Sequence, residues 1–446
     1  MLRLLLVSTY ELGRQPFGLA SPAAWLRAAG HEVHCVDLAW GSLPEEAVRA
    51  AGLVAFYLPM HTATRLAVRA IERVRALNPS AHLCCYGLYA SLNELYIRRL
   101  GVKTILGGEY EPGLVALAGR LREDGQAAPN TIVSLDRLTF LPPDRTTLPP
   151  LSQYAALRVN GERRLVGYTE ASRGCKHLCR HCPVAPVYNG AFRIVQPDVV
   201  LEDIRRQVAM GADHITFGDP DFFNGPGHAV RIVEALHQEF PALTYDVTIK
   251  IEHLLRRRDL LSVLHRTGCL FVTSAVESVE DEVLRKLDKG HTKEDFVRAV
   301  SACRSAGLTL APTFVPFTPW TTWDGYRELL RLIVELDLVE SVAPVQLGLR
   351  LLIPGGSKLL ELEDVRALVE PFDEAALIYR WRHADLELDR LSARILHLVE
   401  REERRRTPRR EIFARIWSLA AGAPLPDTFD LLPRAAIPYM DEPWYC

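Results

Sequence analysis

From Leu4 to Leu352 short apolar runs alternate with longer amphipathic stretches, and this rhythm constrains the fold more than any other feature of the chain. A repeated strand-then-helix order calls for parallel strands joined by helical crossovers. Over residues 1–128 the runs Leu4–Ser8, Glu32–Val36, Leu53–Leu58, His82–Tyr86 and Thr104–Leu106 predict strands. Helices are expected near Ser21–Ala29, Thr64–Leu77 and Leu92–Leu100. The expectation is a doubly wound α/β domain. Ligands of such sheets sit at the carboxyl ends of the strands, here the loops holding Tyr10, Pro59–Thr64, Gly87–Ala90 and Gly107–Pro112.

Residues 129–160 carry Pro129, Pro142, Pro143, Pro149 and Pro150 with little periodicity, the composition of an extended linker. The rhythm resumes in a second domain, residues 161–356. Leu165–Ala171, His214–Gly218, Tyr245–Ile251, Cys269–Val276, Leu308–Phe317 and Val345–Leu352 are predicted strands. Helices between them are expected at 201–210, 227–239, 259–267, 293–306 and 323–338. The last region, 357–446, is expected to be largely helical, with amphipathic stretches at Asp385–Leu398 and Arg409–Ala420.

Directly after the strand Leu165–Ala171 comes Arg173-Gly174-Cys175-Lys176-His177-Leu178-Cys179-Arg180-His181-Cys182-Pro183. Three thiolates can hold three irons of a four-iron, four-sulfur cubane, and with no fourth cysteine nearby one iron stays open for a ligand. The alternative is zinc, which more often takes two separated ligand pairs and would need His177 or His181 as its fourth donor. The chain has nine cysteines, an odd number, scattered apart from this trio and Cys84-Cys85. That is no disulfide framework, and a reducing cytoplasm fits it. The opening apolar run is too short for a signal peptide or membrane span. A formal net charge of −2 gives no reason to expect nucleic acid or an anionic membrane, which leaves a small molecule or peptide as the partner.

The CxxxCxxC pattern resembles that of the radical S-adenosylmethionine (radical SAM) enzymes. The resemblance implies a partial (β/α)6 barrel over 161–356, a [4Fe-4S] cluster on Cys175, Cys179 and Cys182, and S-adenosylmethionine chelating the open iron through its amine and carboxylate. The residue before the third cysteine, usually aromatic or large in the family, is here His181, a flat ring able to pack on adenine. Asp219 and Asp221 stand where the family binds the cofactor's amine, the other reading being an Asp-Pro turn. The segment from Glu277-Ser278 to Lys289-Gly290-His291-Thr292 resembles a Glu-Ser motif that meets the ribose or methionine end of the cofactor. A serine capping a surface helix is the alternative. Lys250 and Glu252 end the preceding strand as further candidates. Trp320 and Trp323 are read as packing rather than pocket lining, and the arginines from Arg404 to Arg410, interleaved with glutamates, as a solvated helix.

Residues 1–128 resemble the cobalamin-binding-like domain that precedes the radical SAM core in one subclass. Gly107–Glu111 lies where a Gly-Glu-Gly-Glu-type turn is usual. The Asp-x-His-x-x-Gly motif is missing, as it commonly is in that subclass, and His61 is read as a polar loop residue. Cobalamin is the second cofactor this implies; a scaffold domain is the alternative. The stretch Asp441–Cys446, with Cys175–Tyr188, resembles a radical SAM family whose chains finish in Cys-Cys-Ala-Glu-Pro or Cys-selenocysteine-Ala-Glu-Pro. The expectation is a UGA codon after Cys446 and a catalytic role for the Cys446 thiol, the alternative being a surface cysteine at a frayed end. The implied reaction is reductive cleavage of S-adenosylmethionine to a 5'-deoxyadenosyl radical, fed by an electron donor such as flavodoxin or ferredoxin, with methyl transfer to a small molecule or peptide where cobalamin takes part. The competing class is a non-catalytic zinc-binding ligand sensor.

Overall fold

Six parallel strands open the chain: β1 (Arg3–Ser8), β2 (Glu32–Asp37), β3 (Leu53–Tyr57), β4 (His82–Tyr86), β5 (Thr104–Gly108) and β6 (Asn130–Ser134), in the order β2-β1-β3-β4-β5-β6. The computed structural model describes residues 1–426 and 439–441. β1, from Leu4 onward, and all of β3 are buried, as a parallel sheet covered on both faces requires. Leu4, Leu6, Tyr57 and Tyr86 pack in one cluster with Leu19, Leu26, Leu114 and Leu117 of the helices Phe17–Ala28 and Glu111–Asp124. Leu5, Val7, Phe56 and Cys85 pack in the other with Ala67, Ile71 and Val74 of the helix His61–Leu77. Each fully buried leucine or phenylalanine stabilises by about 1.5–3 kcal/mol.

Two strands fall inside the expected linker. β6 extends the first sheet along β5, but it is an edge strand with Thr131, Ile132 and Val133 exposed, so no burial pattern marks it. β7 (Ala156–Val159) and β8 (Glu162–Thr169) form an antiparallel hairpin through Asn160-Gly161, both at positive φ, the residue pair such tight turns favour. The expected helix Leu92–Leu100 is two short helices, Leu88–Leu92 and Glu94–Arg99. They part at Asn93, whose buried amide donates to the Tyr89 carbonyl at 2.9 Å, a local bond that competes with helix continuation.

Beyond β8 come the short antiparallel pair β9 (Ser172–Gly174) and β10 (Phe192–Ile194), then β11 (His214–Phe217), β12 (Thr244–Thr248), β13 (Cys269–Glu277) and β14 (Thr309–Phe314). The second sheet runs β14-β13-β12-β11-β8-β7, with Tyr439–Met440 on the outer edge of β7. β8 and β11 to β14 are parallel, and the sheet curls into a half-barrel. The expected closing strand Val345–Leu352 is instead a 3-10 turn, Pro344–Gly348, followed by a single bridge from Arg350 to Phe317. Pro344 has no N–H for a ladder and Gly348 no side chain to pack, so neither supports a strand.

The C-terminal region is helical at Leu386–Arg404 and Arg409–Ala421. Leu388, Leu391, Ile395, Ile412 and Phe413 join the barrel core. A two-residue hairpin, Phe372–Asp373 with Ile378–Tyr379, touches the first domain, where His61 Nε2 lies 2.7 Å from the Ala376 carbonyl. That bond gives His61 a structural place. Among the described residues no helix is long and apolar enough to cross a membrane.

Candidate active site

β8 delivers the chain to the top of the half-barrel, and β9 with β10 closes the segment 175–191 into a loop held at its base. Gly174 makes the entry turn at φ +74°, where a Cβ would lie 2.3 Å from the Tyr188 ring and 2.6 Å from the Ala191 carbonyl; only glycine fits. Asn224 Oδ1 accepts from the Lys176 N–H at 3.2 Å, and the Leu287 carbonyl accepts from the Arg180 N–H at 2.9 Å. The Arg180 guanidinium donates to the Lys286 carbonyl at 2.9 Å. The loop is thus fixed on two sides before any metal enters.

Cys175 and Cys182 are half-buried and Cys179 is buried, all three free. Burial pushes the Cys182 thiol up to about 11 and raises Cys175. Neighbouring thiols act in the same direction. Without a metal these groups stay protonated at neutral pH; a bound cation provides the charge that makes thiolates of them. The other described cysteines are buried in β2, β4, β13 and the helix Lys293–Ser305. A three-thiol loop with no fourth cysteine is the donor set an open-corner cluster needs.

The strand ends around this loop are polar. β13 bulges against β14 between Ala275 and Glu277, and Glu277 sits at φ +69°. Its carboxylate meets His181 Nε2 at 3.0 Å and Lys289 Nζ at 3.3 Å. Burial alone would raise it, but Lys289 and His181 hold it down to about 2. Ser278 is buried and its Oγ accepts from the Glu280 N–H at 3.1 Å. Lys250 Nζ lies 3.0 Å from His177 Nδ1 and 3.5 Å from Glu252 Oε2.

The structure separates Asp219 from Asp221, which the sequence leaves equivalent. Asp219 has both oxygens engaged, by the Ala171 N–H at 2.9 Å and by the Ser172 hydroxyl, and it braces the end of β8 against the end of β11. Burial pushes its carboxyl up to about 7. Asp221 turns instead toward His177 and His253. Trp320 and Trp323 donate through Nε1 to Asp364 and Asp385, each at 2.9 Å, so both pack and hydrogen-bond within the fold. Cys446 lies outside the described residues.

Sequence reasoning missed the clasp that joins the two domains here. Arg173, at the head of the cysteine loop, reaches across to Glu109, just after β5, and to Glu111, the first residue of the following helix. It donates to Glu111 at 2.7 and 2.9 Å, to Glu109 at 3.1 Å and to Glu170 at 2.8 Å. Ser21 Oγ donates to Glu111 at 2.6 Å and the Tyr188 hydroxyl to Glu109 at 3.1 Å. Next to the clasp, a cavity of ≈170 Å³ opens between the strand ends of the first sheet and the half-barrel. Glu11, Tyr57, Pro59, Gly87 and Tyr110 line it from one side, and Tyr168, Glu170, Arg173 and Gly218 from the other. The sequence marks Lys289 only as part of the segment after Glu277-Ser278, with no role of its own, and His253 carries no local signal.

A half-barrel whose first parallel strand leads into a three-cysteine loop, set against a doubly wound sheet, defines a class of cluster-bearing enzyme. Residues 169–333, which hold the three-cysteine loop and β11 to β14, match the family model described as the radical SAM superfamily. A curated relative, the hopanoid C-3 methylase of Methylococcus capsulatus, is 25% identical over 325 residues, 69% of this chain and 62% of that protein. The chain therefore spans less than two thirds of that relative's length. Among solved structures, the methyltransferase TsrM of Kitasatospora setae, with cobalamin and a [4Fe-4S] cluster bound, aligns with a TM-score of 0.59 at 17% identity, over 76% of this chain and 74% of that one. The cobalamin-dependent enzyme OxsB, with aqua-cobalamin and S-adenosylmethionine bound, aligns at 0.66 and 14% identity, over 88% and 66%. These neighbours share the order of parallel sheet, half-barrel and helical end. None of the comparisons supports the zinc-sensor reading.

Proposed function

We propose that this chain reductively cleaves S-adenosylmethionine at a [4Fe-4S] cluster held by Cys175, Cys179 and Cys182, and that its first domain hosts cobalamin for methyl transfer to a small molecule or peptide. The observation that carries the reading is the placement of the cysteine loop at the carboxyl end of β8, beside a cavity shared with the strand ends of the first sheet. The bound groups would supply an electron to the sulfonium and a methyl group to the substrate. The protein's part is placement. The three thiols would hold the cluster, in a loop fixed by Asn224 and by the Leu287 carbonyl. Glu277, kept ionised by Lys289 and His181, offers the cofactor a carboxylate; Ser278 and Lys250 flank it. Glu11, Glu170 and the tyrosines at the cavity line the path between the domains.

The electron donor in this reading is a flavodoxin or ferredoxin, the compartment the cytoplasm, and nucleic acid is not a partner. Within the class, Cys175–Tyr188 and the stretch ending at Cys446 support the group with the Cys-Cys-Ala-Glu-Pro or selenocysteine-containing tail. The codon after Cys446 tests that: any other than UGA removes the selenocysteine form.

The experiment is anaerobic. Iron and sulfide are reconstituted, reductant and S-adenosylmethionine added, and 5'-deoxyadenosine measured by mass spectrometry beside a Cys179→Ala control, with cobalt counted per chain after incubation with hydroxocobalamin. Deoxyadenosine from the unmutated protein alone, with cobalt retained, supports the reading. A full cluster with no deoxyadenosine overturns radical cleavage, and absence of cobalt overturns the methyl-transfer part.

A further inference from the structure

We infer that His177, Asp221 and His253 form a second metal site, for a zinc-class divalent cation, distinct from the three cysteine thiols. One ligand atom from each, His177 Nε2, His253 Nδ1 and Asp221 Oδ2, lies within 4.8 Å of the others. Asp221 is 1% and His253 7% exposed, and none of the three atoms has a hydrogen-bond partner. His253 Nδ1 stands 2.6 Å from Asp221 Oδ2 and His177 Nε2 stands 3.5 Å from it, yet no N–H is aligned with that oxygen. Leaving buried polar atoms unsatisfied costs about 1–3 kcal/mol each. A cation at the point where these three atoms converge, with the His177 proton moved to Nδ1, removes the cost for all three at once.

The surroundings hold the donors in place. Asp221 Oδ1 accepts from the Phe223 N–H at 3.2 Å, which leaves Oδ2 as the oxygen directed at the imidazoles. The rings of His177 and His253 stand 4.8 Å apart at 58°. Two imidazole nitrogens and one carboxylate oxygen make a set that zinc binds at about 2.0–2.2 Å, and the lack of sulfur separates it from the softer cysteine site. Ligation through Nε2 places the His177 proton on Nδ1, which faces Glu252 Oε2 at 3.8 Å, a carboxylate–imidazole–metal arrangement. The Lys250 ammonium, now 3.0 Å from that nitrogen, then turns to Glu252, 3.5 Å away. Such an ion would tie the middle of the cysteine loop to the ends of β11 and β12.

The test uses the full chain with its iron and sulfide reconstituted anaerobically, dialysed with zinc chloride and desalted. Iron and zinc are counted by mass spectrometry, and the zinc shell is read by X-ray absorption. The expected result is one zinc per chain beside the iron, in a shell of nitrogen and oxygen. Zinc should bind at least about tenfold more weakly in His253→Ala and Asp221→Asn, whose iron count stays that of the unmutated protein. Zinc at background, zinc retained by both variants, or sulfur in the zinc shell each overturns the inference. Should the variants not fold, the shell of the unmutated protein decides alone. Loss of iron with zinc in place would count against the cluster, not against this site.

Discussion

Arg173 and Glu111 meet across the two domains through a pair of hydrogen bonds, 2.7 and 2.9 Å long, with both side chains buried. The arginine stands two residues before Cys175 and the glutamate at the first position of the helix that follows β5, so this ion pair ties the cysteine loop to the carboxyl end of the first sheet.

Arg173→Met strands Glu109, Glu111 and Glu170 without their shared cation. Removing one partner of a buried pair typically costs about 3–5 kcal/mol, and a loss of that order is expected in urea unfolding at neutral pH. Burial already raises Glu109 and Glu170. The variant should therefore regain part of the loss as pH falls and these carboxyls take up protons, a recovery visible in the urea midpoint.

Asp219 sets a pH trend of opposite sign to that of an ordinary exposed carboxylate pair. Burial raises its folded-state value to about 7, against about 3.9 in an unfolded chain. The neutral form favours folding, so stability from this group is complete below the unfolded value and is lost as pH rises through 7. Asp219→Asn keeps an oxygen for the Ala171 N–H and an amide for the Ser172 hydroxyl. It should flatten the fall in unfolding midpoint between pH 4 and 7, and an unchanged slope would count against this account.

Gly218→Ala should destabilise by overpacking. Its Cβ would fall 1.8 Å from the Tyr168 hydroxyl and 2.2 Å from ring carbon Cζ, and cores forced apart this way typically lose about 1–3 kcal/mol. Adding Tyr168→Phe removes only the oxygen, so the double variant should recover a fraction of the lost melting temperature.

Lys289→Met leaves Glu277 buried with His181 as its remaining partner. The Glu277 carboxyl, held at about 2 chiefly against burial by Lys289 and then His181, should rise. In the unmutated protein its contribution is full above the ordinary glutamate value and fades as pH falls toward 2. The variant should lose about 3–5 kcal/mol at pH 7 and a smaller amount at pH 4, read by denaturant unfolding at the two pH values.

The sequence makes plain what is local. Leu4 to Val7 and Leu53 to Leu58 are apolar runs long enough to read as buried strands, and the three cysteines need no partner to be recognised. It hides what depends on exposure or docking. β6 keeps its middle residues in solvent, so its β-branched residues carry no alternation. Asn160-Gly161 does announce a hairpin, but the prolines before it draw the reading toward a linker. Asp219 and Asp221 differ in role because a residue and its second neighbour meet different walls of the half-barrel. The Glu109 and Glu111 carboxylates look like ligand groups at a strand end, and only the packing of the second domain turns them onto Arg173, 62 residues beyond Glu111.

Glu277 holds its carboxylate in place by sitting at φ +69° in the β13 bulge, a region that costs a residue with a Cβ of order 1–3 kcal/mol and costs glycine almost nothing. Glycine at this position would relieve that strain but would leave the buried Lys289 ammonium without its carboxylate, and losing one partner of a buried pair typically costs about 3–5 kcal/mol, more than the strain returns. The charge thus holds the backbone in a shape the backbone alone would leave, and a screen that scored only survival on heating would keep glutamate here without ever asking what its carboxylate is for.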